Sequence, residues 1–197
     1  MKFFVALTLF FVVVLTGCAG SVKTTISTFR SDTGLAVSGT IRVMPAPDSN
    51  HDELEFKYFA DKLAAKLSEQ GYVVSDSATT DYLAYLDYES VRQEKAEKRV
   101  SGNVHGTFGY HYQHAGVVFV NDNRTEFEFV RGVVISIVKN EAGGPDPRIK
   151  IAAVSAGKCA YLAPVYDAML RAIFSNLQRE NGSVVRVAEK TNRSCVQ

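Results

Sequence analysis

The chain carries almost no surplus charge, few cysteines and, beyond its first fifteen residues, no long apolar run. Its 22 Lys and Arg against 21 Asp and Glu leave a formal net charge of +1. That balance argues against nucleic-acid binding and against a polybasic grip on lipid. Only three cysteines occur, Cys18, Cys159 and Cys195, and their spacing fits neither a C-x-x-C redox motif nor a zinc knuckle. Internal repeats and low-complexity tracts are absent. So are the G-x-S-x-G elbow, the H-E-x-x-H pair, the P-loop and the dinucleotide fingerprint. The expectation is a protein that is not an enzyme and uses no cofactor.

What is present begins at the N-terminus. MKFFVALTLFFVVVLTGC places one basic residue, Lys2, before an apolar run from Phe3 to Leu15, with the small residues Thr16 and Gly17 ahead of Cys18. The run matches the roughly 7 to 15 residues of a secretory core and falls short of the ~20 needed to span hydrocarbon. Residues 1–17 therefore read as a signal peptide. Leu15-Thr16-Gly17-Cys18 is similar to the lipobox of bacterial lipoproteins, which implies that Cys18 becomes the lipid-modified N-terminus. One acyl chain holds marginally, at ~0.8 kcal/mol per buried methylene, whereas two or three hold firmly. Ala19 resembles the Gram-negative sorting pattern for the outer membrane, since aspartate at that place implies inner-membrane retention. The expected address is the cell envelope, lipid-anchored at the outer membrane and facing the periplasm.

Removal of residues 1–17 leaves 180 residues with equal numbers of basic and acidic side chains, enough for one domain. Residues 18–24 are expected to be the lipidated cysteine and a short tether, and 25–197 a single α+β domain. Export brings Cys159 and Cys195 into a compartment where disulfides persist, so a bond between them is expected. In the chain-entropy model that loop contributes roughly 3 to 4 kcal/mol.

Segments 22–29 and 39–44 are β-branched, and Pro45 and Pro47 stop the second. From Asp52, Phe56, Phe59, Ala60, Leu63 and Leu67 recur at helical spacing. Ser49, Asn50 or Asp52 can cap that helix, and Gly71 suits its left-handed end. Tyr72 to Ser75 reads as a strand. Tyr82, Ala84, Leu86 and Tyr88 then alternate as in a strand, with a helix from Asp81 as the rival reading, and residues 92–99 mix signs as a solvated strand edge or loop. Residues 117–120, the turn NDNR and 125–138 read as a hairpin with Phe127, Phe129, Val133, Ile135 and Ile137 on one face; Gly132 marks a bulge. NEAGGPDP is turn chemistry and 149–156 a strand. A second helix opens near Pro164, presents Val165, Tyr166, Met169, Leu170, Ile173 and Leu177, and ends at Asn181-Gly182. A closing strand at 183–190 runs back along it and brings Cys195 towards Cys159. The expected fold is an α+β sandwich, a mostly antiparallel sheet with two amphipathic helices packed on one face.

The one conspicuous polar constellation is NVHGTFGYHYQH, with His105, Tyr110, His111, Tyr112 and His114 close together. Three histidines are metal ligands in principle, but no helix aligns them and no Cys or carboxylate completes a set, so no metal is expected. The aromatics can stack on a sugar ring or rest at a lipid interface, which makes a small-ligand or glycan binder the alternative function. A glycine-rich hairpin loop is the plainer reading.

The LTGC start, the stretch from TIRVMPAPDSN through SEQGYVVSDSATTDYLAYLDYES, and SAGKCAYLAPVYDAMLRAIFSNLQRENG together resemble the bacterial lipoproteins grouped as domain of unknown function 4136. The central cue is a helix ending in Gly71-Tyr72 followed by the Asp81-Tyr82 entry into a strand. The resemblance implies an envelope lipoprotein of α+β form with no catalytic residues to carry over. The order of elements is also broadly similar to the small periplasmic domains of outer-membrane lipoproteins that activate or assemble other machines, a likeness of fold alone. The expected function is non-enzymatic: a membrane-anchored protein acting through an envelope protein or a cell-wall component.

Overall fold

The computed structural model describes residues 20–31, 38–95, 126–141 and 144–191. The first strand, β1 (Gly20–Arg30), begins inside the stretch expected to be a tether. β2 (Gly39–Pro45) leads into helix α1 (Glu53–Glu69), and β3 (Tyr72–Val74) follows it. Three long strands come next: β4 (Tyr82–Lys95), β5 (Glu126–Glu141) and β6 (Gly144–Gly157). Helix α2 (Ala163–Phe174) and β7 (Val184–Thr191) complete the chain.

The seven strands of the described residues form one sheet in the order β3-β2-β4-β5-β6-β1-β7. The α+β class holds, but the sheet is mixed where a mostly antiparallel one was expected. β2 is parallel to both β3 and β4, while the β4-β5, β5-β6, β6-β1 and β1-β7 pairs are antiparallel. The cause is the β2-α1-β3 crossover: a helix between two neighbouring strands returns the chain to the end where it started, so the second strand repeats the direction of the first.

One face of the sheet is the core. Alternate residues turn inward, among them Val22 and Ile26 of β1, Ala84, Leu86 and Tyr88 of β4, Val133, Ile135 and Ile137 of β5, and Ile149, Ile151 and Ala153 of β6. Both helices cover that face. Phe59, Leu63 and Leu67 are the buried stripe of α1, and burial of each such side chain contributes about 1.5 to 3 kcal/mol. Asp52 is the cap, its carboxylate accepting from the backbone N–H of Leu54 and Glu55 at 3.0 and 3.1 Å. Gly71, at φ 96°, takes the left-handed turn out of the helix. The helices meet where the Tyr166 hydroxyl donates to the Phe59 carbonyl and Lys62 reaches Asp167 at 2.7 Å.

Three local readings are corrected. The 144–147 part of the expected turn belongs to β6, with Pro145 and Pro147 opposite Asn140 and Val138. β1 ends opposite Ile149, so β6 is an edge on that side over these residues, where proline is better tolerated than in a strand flanked on both sides. The bulge lies between Ile137 and Val138 rather than at Gly132, which stays in register between Glu89 and Val154. Helix α2 ends at Phe174, followed by turns, and Gly182 with φ 75° belongs to the final turn before β7.

Candidate functional site

Among the described residues no helix covers the second sheet face. Register places Thr25, Val154, Gly132 and Glu89 in one row, Ser27, Ala152, Val134 and Asp87 in the next, and Phe29, Lys150, Ser136, Tyr85 and Met44 in a third. Among the described residues, five of the eight large apolar side chains that stand exposed lie here: Phe29 at 55%, Val73 at 63%, Val91 at 52%, Val154 at 45% and Val184 at 68%. Phe29, Val154 and Val184 lie on the neighbouring strands β1, β6 and β7, and apolar surface so clustered marks a contact surface more than scattered residues do. Gly132 shapes it, because a Cβ there would stand 3.2 Å from the Glu89 side chain.

A polar cluster borders this face where β2 stops. Pro45 pairs with Leu86, so from Asp87 onward β4 has lost that neighbour, and the loop to α1 fills the place. The Ala46 amide donates to the Leu86 carbonyl at 3.1 Å. His51 Nε2 meets Asp87 Oδ1 at 2.9 Å, and its ring stacks on Tyr88 with centroids 3.9 Å apart. Tyr88 in turn meets Phe59, which meets Tyr166, with centroids 4.5 and 4.6 Å apart. Among the described residues the buried Tyr88 hydroxyl has no hydrogen-bond partner. Burial, reinforced by the carboxylates of Glu55, Asp52 and Asp87, pushes its pKa up to about 12.

A histidine oriented by a carboxylate is half of an acid–base machine, but a nucleophile must lie within reach of the ring. The nearby Ser49 hydroxyl is committed to the Ala46 carbonyl at 2.7 Å. Among the described residues no group of three His, Cys, Asp or Glu can hold a metal ion. The contacts of His51 with Asp87 and Tyr88 strap the 46–52 loop against β4.

Arg131 was not picked out from the sequence, although it shares the odd-numbered alternation of Val133, Ile135 and Ile137. It is 2% exposed and lies on the helix-covered face. Nη1 donates to the Cys159 carbonyl at 3.1 Å, Nη2 to Ser155 Oγ at 3.3 Å and Nε to the Ser155 carbonyl at 3.4 Å. Burial draws its pKa down, with Glu128 opposing, yet a guanidinium starts so high that it stays charged. The arginine thus pins the loop that leads into α2, and the buried Cys159 with it.

Of the sequence-derived site residues, only Cys159 is among those described. Cys18, Cys195, His105, Tyr110, His111, Tyr112 and His114 lie outside them, as do the expected strand at 117–120 and the NDNR turn. The structure does place the two ends of the 96–125 segment, since Lys95 of β4 pairs with Glu126 of β5. It also places the end of β7, where the Thr191 hydroxyl donates to the Pro164 carbonyl at 3.2 Å, at the head of α2.

No family profile and no curated protein matches the chain. Among solved structures, it is similar to a PDZ domain protein from Parabacteroides distasonis at TM-score 0.50 and 11% identity. That match covers 86% of this chain and 39% of the other, so the chain spans about two fifths of that protein. PelC from Paraburkholderia phytofirmans, crystallised as a dodecamer, matches at TM-score 0.41 and 13% identity over 80% of this chain and 99% of its own. The first likeness is one of fold alone.

Proposed function

We propose that the chain is a non-enzymatic, lipid-anchored protein of the bacterial envelope, held through Cys18 at the outer membrane and facing the periplasm, that works by binding an envelope protein or cell-wall component through its helix-free sheet face. The observation that carries the reading is the exposure of Phe29, Val154 and Val184 on the neighbouring strands β1, β6 and β7 of that face. The LTGC motif supports the anchor, and the resemblance to the domain of unknown function 4136 lipoproteins agrees with it. Export favours a disulfide between Cys159 and Cys195. The position of Thr191 beside Pro164 supports it too, because four residues then separate the head of α2 from Cys195.

Crosslinking in intact cells tests the binding face. Charged replacements at Phe29 and Val154 should remove a discrete crosslinked species that Leu54→Glu and Tyr58→Glu, on the exposed side of α1, leave in place. The same crosslinks surviving in the Phe29→Glu/Val154→Glu variant would exclude this face.

A further inference from the structure

The strand directions separate the two ends of the sheet. β1 starts at Gly20, opposite Thr191 where β7 finishes. Thr24 is level with Ser155, Arg131 and Ser90 across β1, β6, β5 and β4. From that level the first strand runs four residues to Gly20, while the β4-β5 ladder runs five to the Lys95-Glu126 pair. The start of β1, the end of β7, the tip of the β4-β5 ladder and the 158–162 loop therefore share one end. The opposite end holds Gly39, Asp81 and Tyr72.

Resting on the lipid anchor of the preceding section, we infer that this Gly20 end of the sheet lies against the phospholipid bilayer, with Tyr161 at the headgroup level. Two residue steps separate Cys18 from Gly20, and a fully extended chain covers at most about 3.6 Å per residue, so the strand starts within roughly 7 Å of the acylated residue. A leash that short leaves no room to turn the domain over. The start of β1 is paired with β7 from Gly20 onward and with β6 from Thr24 onward, which holds it in the sheet.

Tyr161 stands 74% exposed in the loop between β6 and α2. An aromatic body with a polar tip suits the membrane interface. Lys23, Lys158 and Lys190 are exposed around the same end, and lysine stems can lie along apolar surface while their ammonium groups reach phosphate. Glu128 stands there too, and Glu94 and Glu126 belong to the same strand tips. The end is thus mixed in sign, and the short leash and Tyr161 carry the assignment.

The chain contains no tryptophan, so one introduced indole reports alone. The full-length acylated protein carrying Tyr161→Trp, reconstituted in phosphatidylcholine vesicles, should show blue-shifted emission and lose more than half of it when the lipids are brominated. Val73→Trp, at the far end, should lose almost none, because nine residues of β4 at about 3.3 Å each separate the levels of Ser90 and Asp81. Flotation with the vesicles reads the anchor separately. Flotation without quenching of the Tyr161→Trp variant, or with stronger quenching of the Val73→Trp variant, overturns this orientation and leaves the anchor standing. Failure to float overturns the anchor and this inference with it.

Discussion

Thr40 and Asp81 hold each other from both sides. The backbone N–H and hydroxyl of Thr40 donate to Asp81 Oδ2 at 2.7 and 2.8 Å, and the Asp81 amide donates to the Thr40 hydroxyl at 2.9 Å. The clasp joins the start of β2 to the entry of β4, which sets the register of the parallel pair. Those two donated bonds hold the Asp81 carboxyl below its ordinary pKa, with Lys139 assisting.

A folded-state pKa below the unfolded value gives a stability contribution that is complete above the unfolded pKa and fades as pH falls through the folded one. The urea midpoint of the native protein should therefore drop as pH is lowered from about 5 towards 2. Asp81→Asn should be less stable at neutral pH and show a shallower acid limb. Equal acid slopes in the two proteins would remove Asp81 from that transition.

Arg131 has no substitute of equal reach. Replacement by Met should cost about 2 to 3 kcal/mol in urea unfolding, because the Cys159 and Ser155 carbonyls and the Ser155 hydroxyl lose a charged donor inside the fold. Lys should recover only part of this, since one ammonium cannot reproduce a planar fork that spans the β6 strand and the following loop.

Gly157 and Arg131 should be coupled. A Cβ on Gly157 would stand 3.1 Å from Arg131 Nη2, which the Ser155 hydroxyl holds. Gly157→Ala alone should destabilise by about 1 kcal/mol. With Arg131→Met in place the same change should become neutral or stabilising, because the gain from a less flexible unfolded chain then stands unopposed. A double-mutant cycle by urea denaturation reads the coupling directly, and additive effects would disprove the clash.

Tyr88→Phe should raise the thermal midpoint. It removes a buried hydroxyl that has no partner among the described residues while keeping the ring against His51 and Phe59. Relief of that desolvation is worth about 1 kcal/mol. His51→Ala should act in the opposite direction by uncovering the same ring, and no change in either variant would show that the strap is inert.

Much of the fold was legible because its core strands and helices bury one stripe at a regular period. Phe59, Leu63 and Leu67 marked α1, and Tyr82, Ala84, Leu86 and Tyr88 marked β4 and its inward face. The parallel strands were not legible, since three residues of β3 carry no directional signal and pairing is a property of the whole sheet. Pro145 and Pro147 misled for a related reason: whether proline is tolerated depends on where the neighbouring strand ends. The exposed sheet face escaped notice because Phe29, Val154 and Val184 look ordinary along their own strands and become neighbours only when β1, β6 and β7 lie side by side. Arg131 stood in an apolar alternation, which was a usable signal. His51 and Asp87, 36 positions apart in the chain, offered none.

The place of β1 has a mechanical consequence. A pull on the chain ahead of Gly20 runs along the axis of a strand paired with antiparallel β7 from Gly20 to Ser27 and with antiparallel β6 from Thr24 to Arg30. The two ladders would then be loaded in shear, many bonds at once, whereas a strand at the sheet's rim would unzip one bond at a time. Force arriving from the N-terminal side thus meets the sheet in its most resistant geometry.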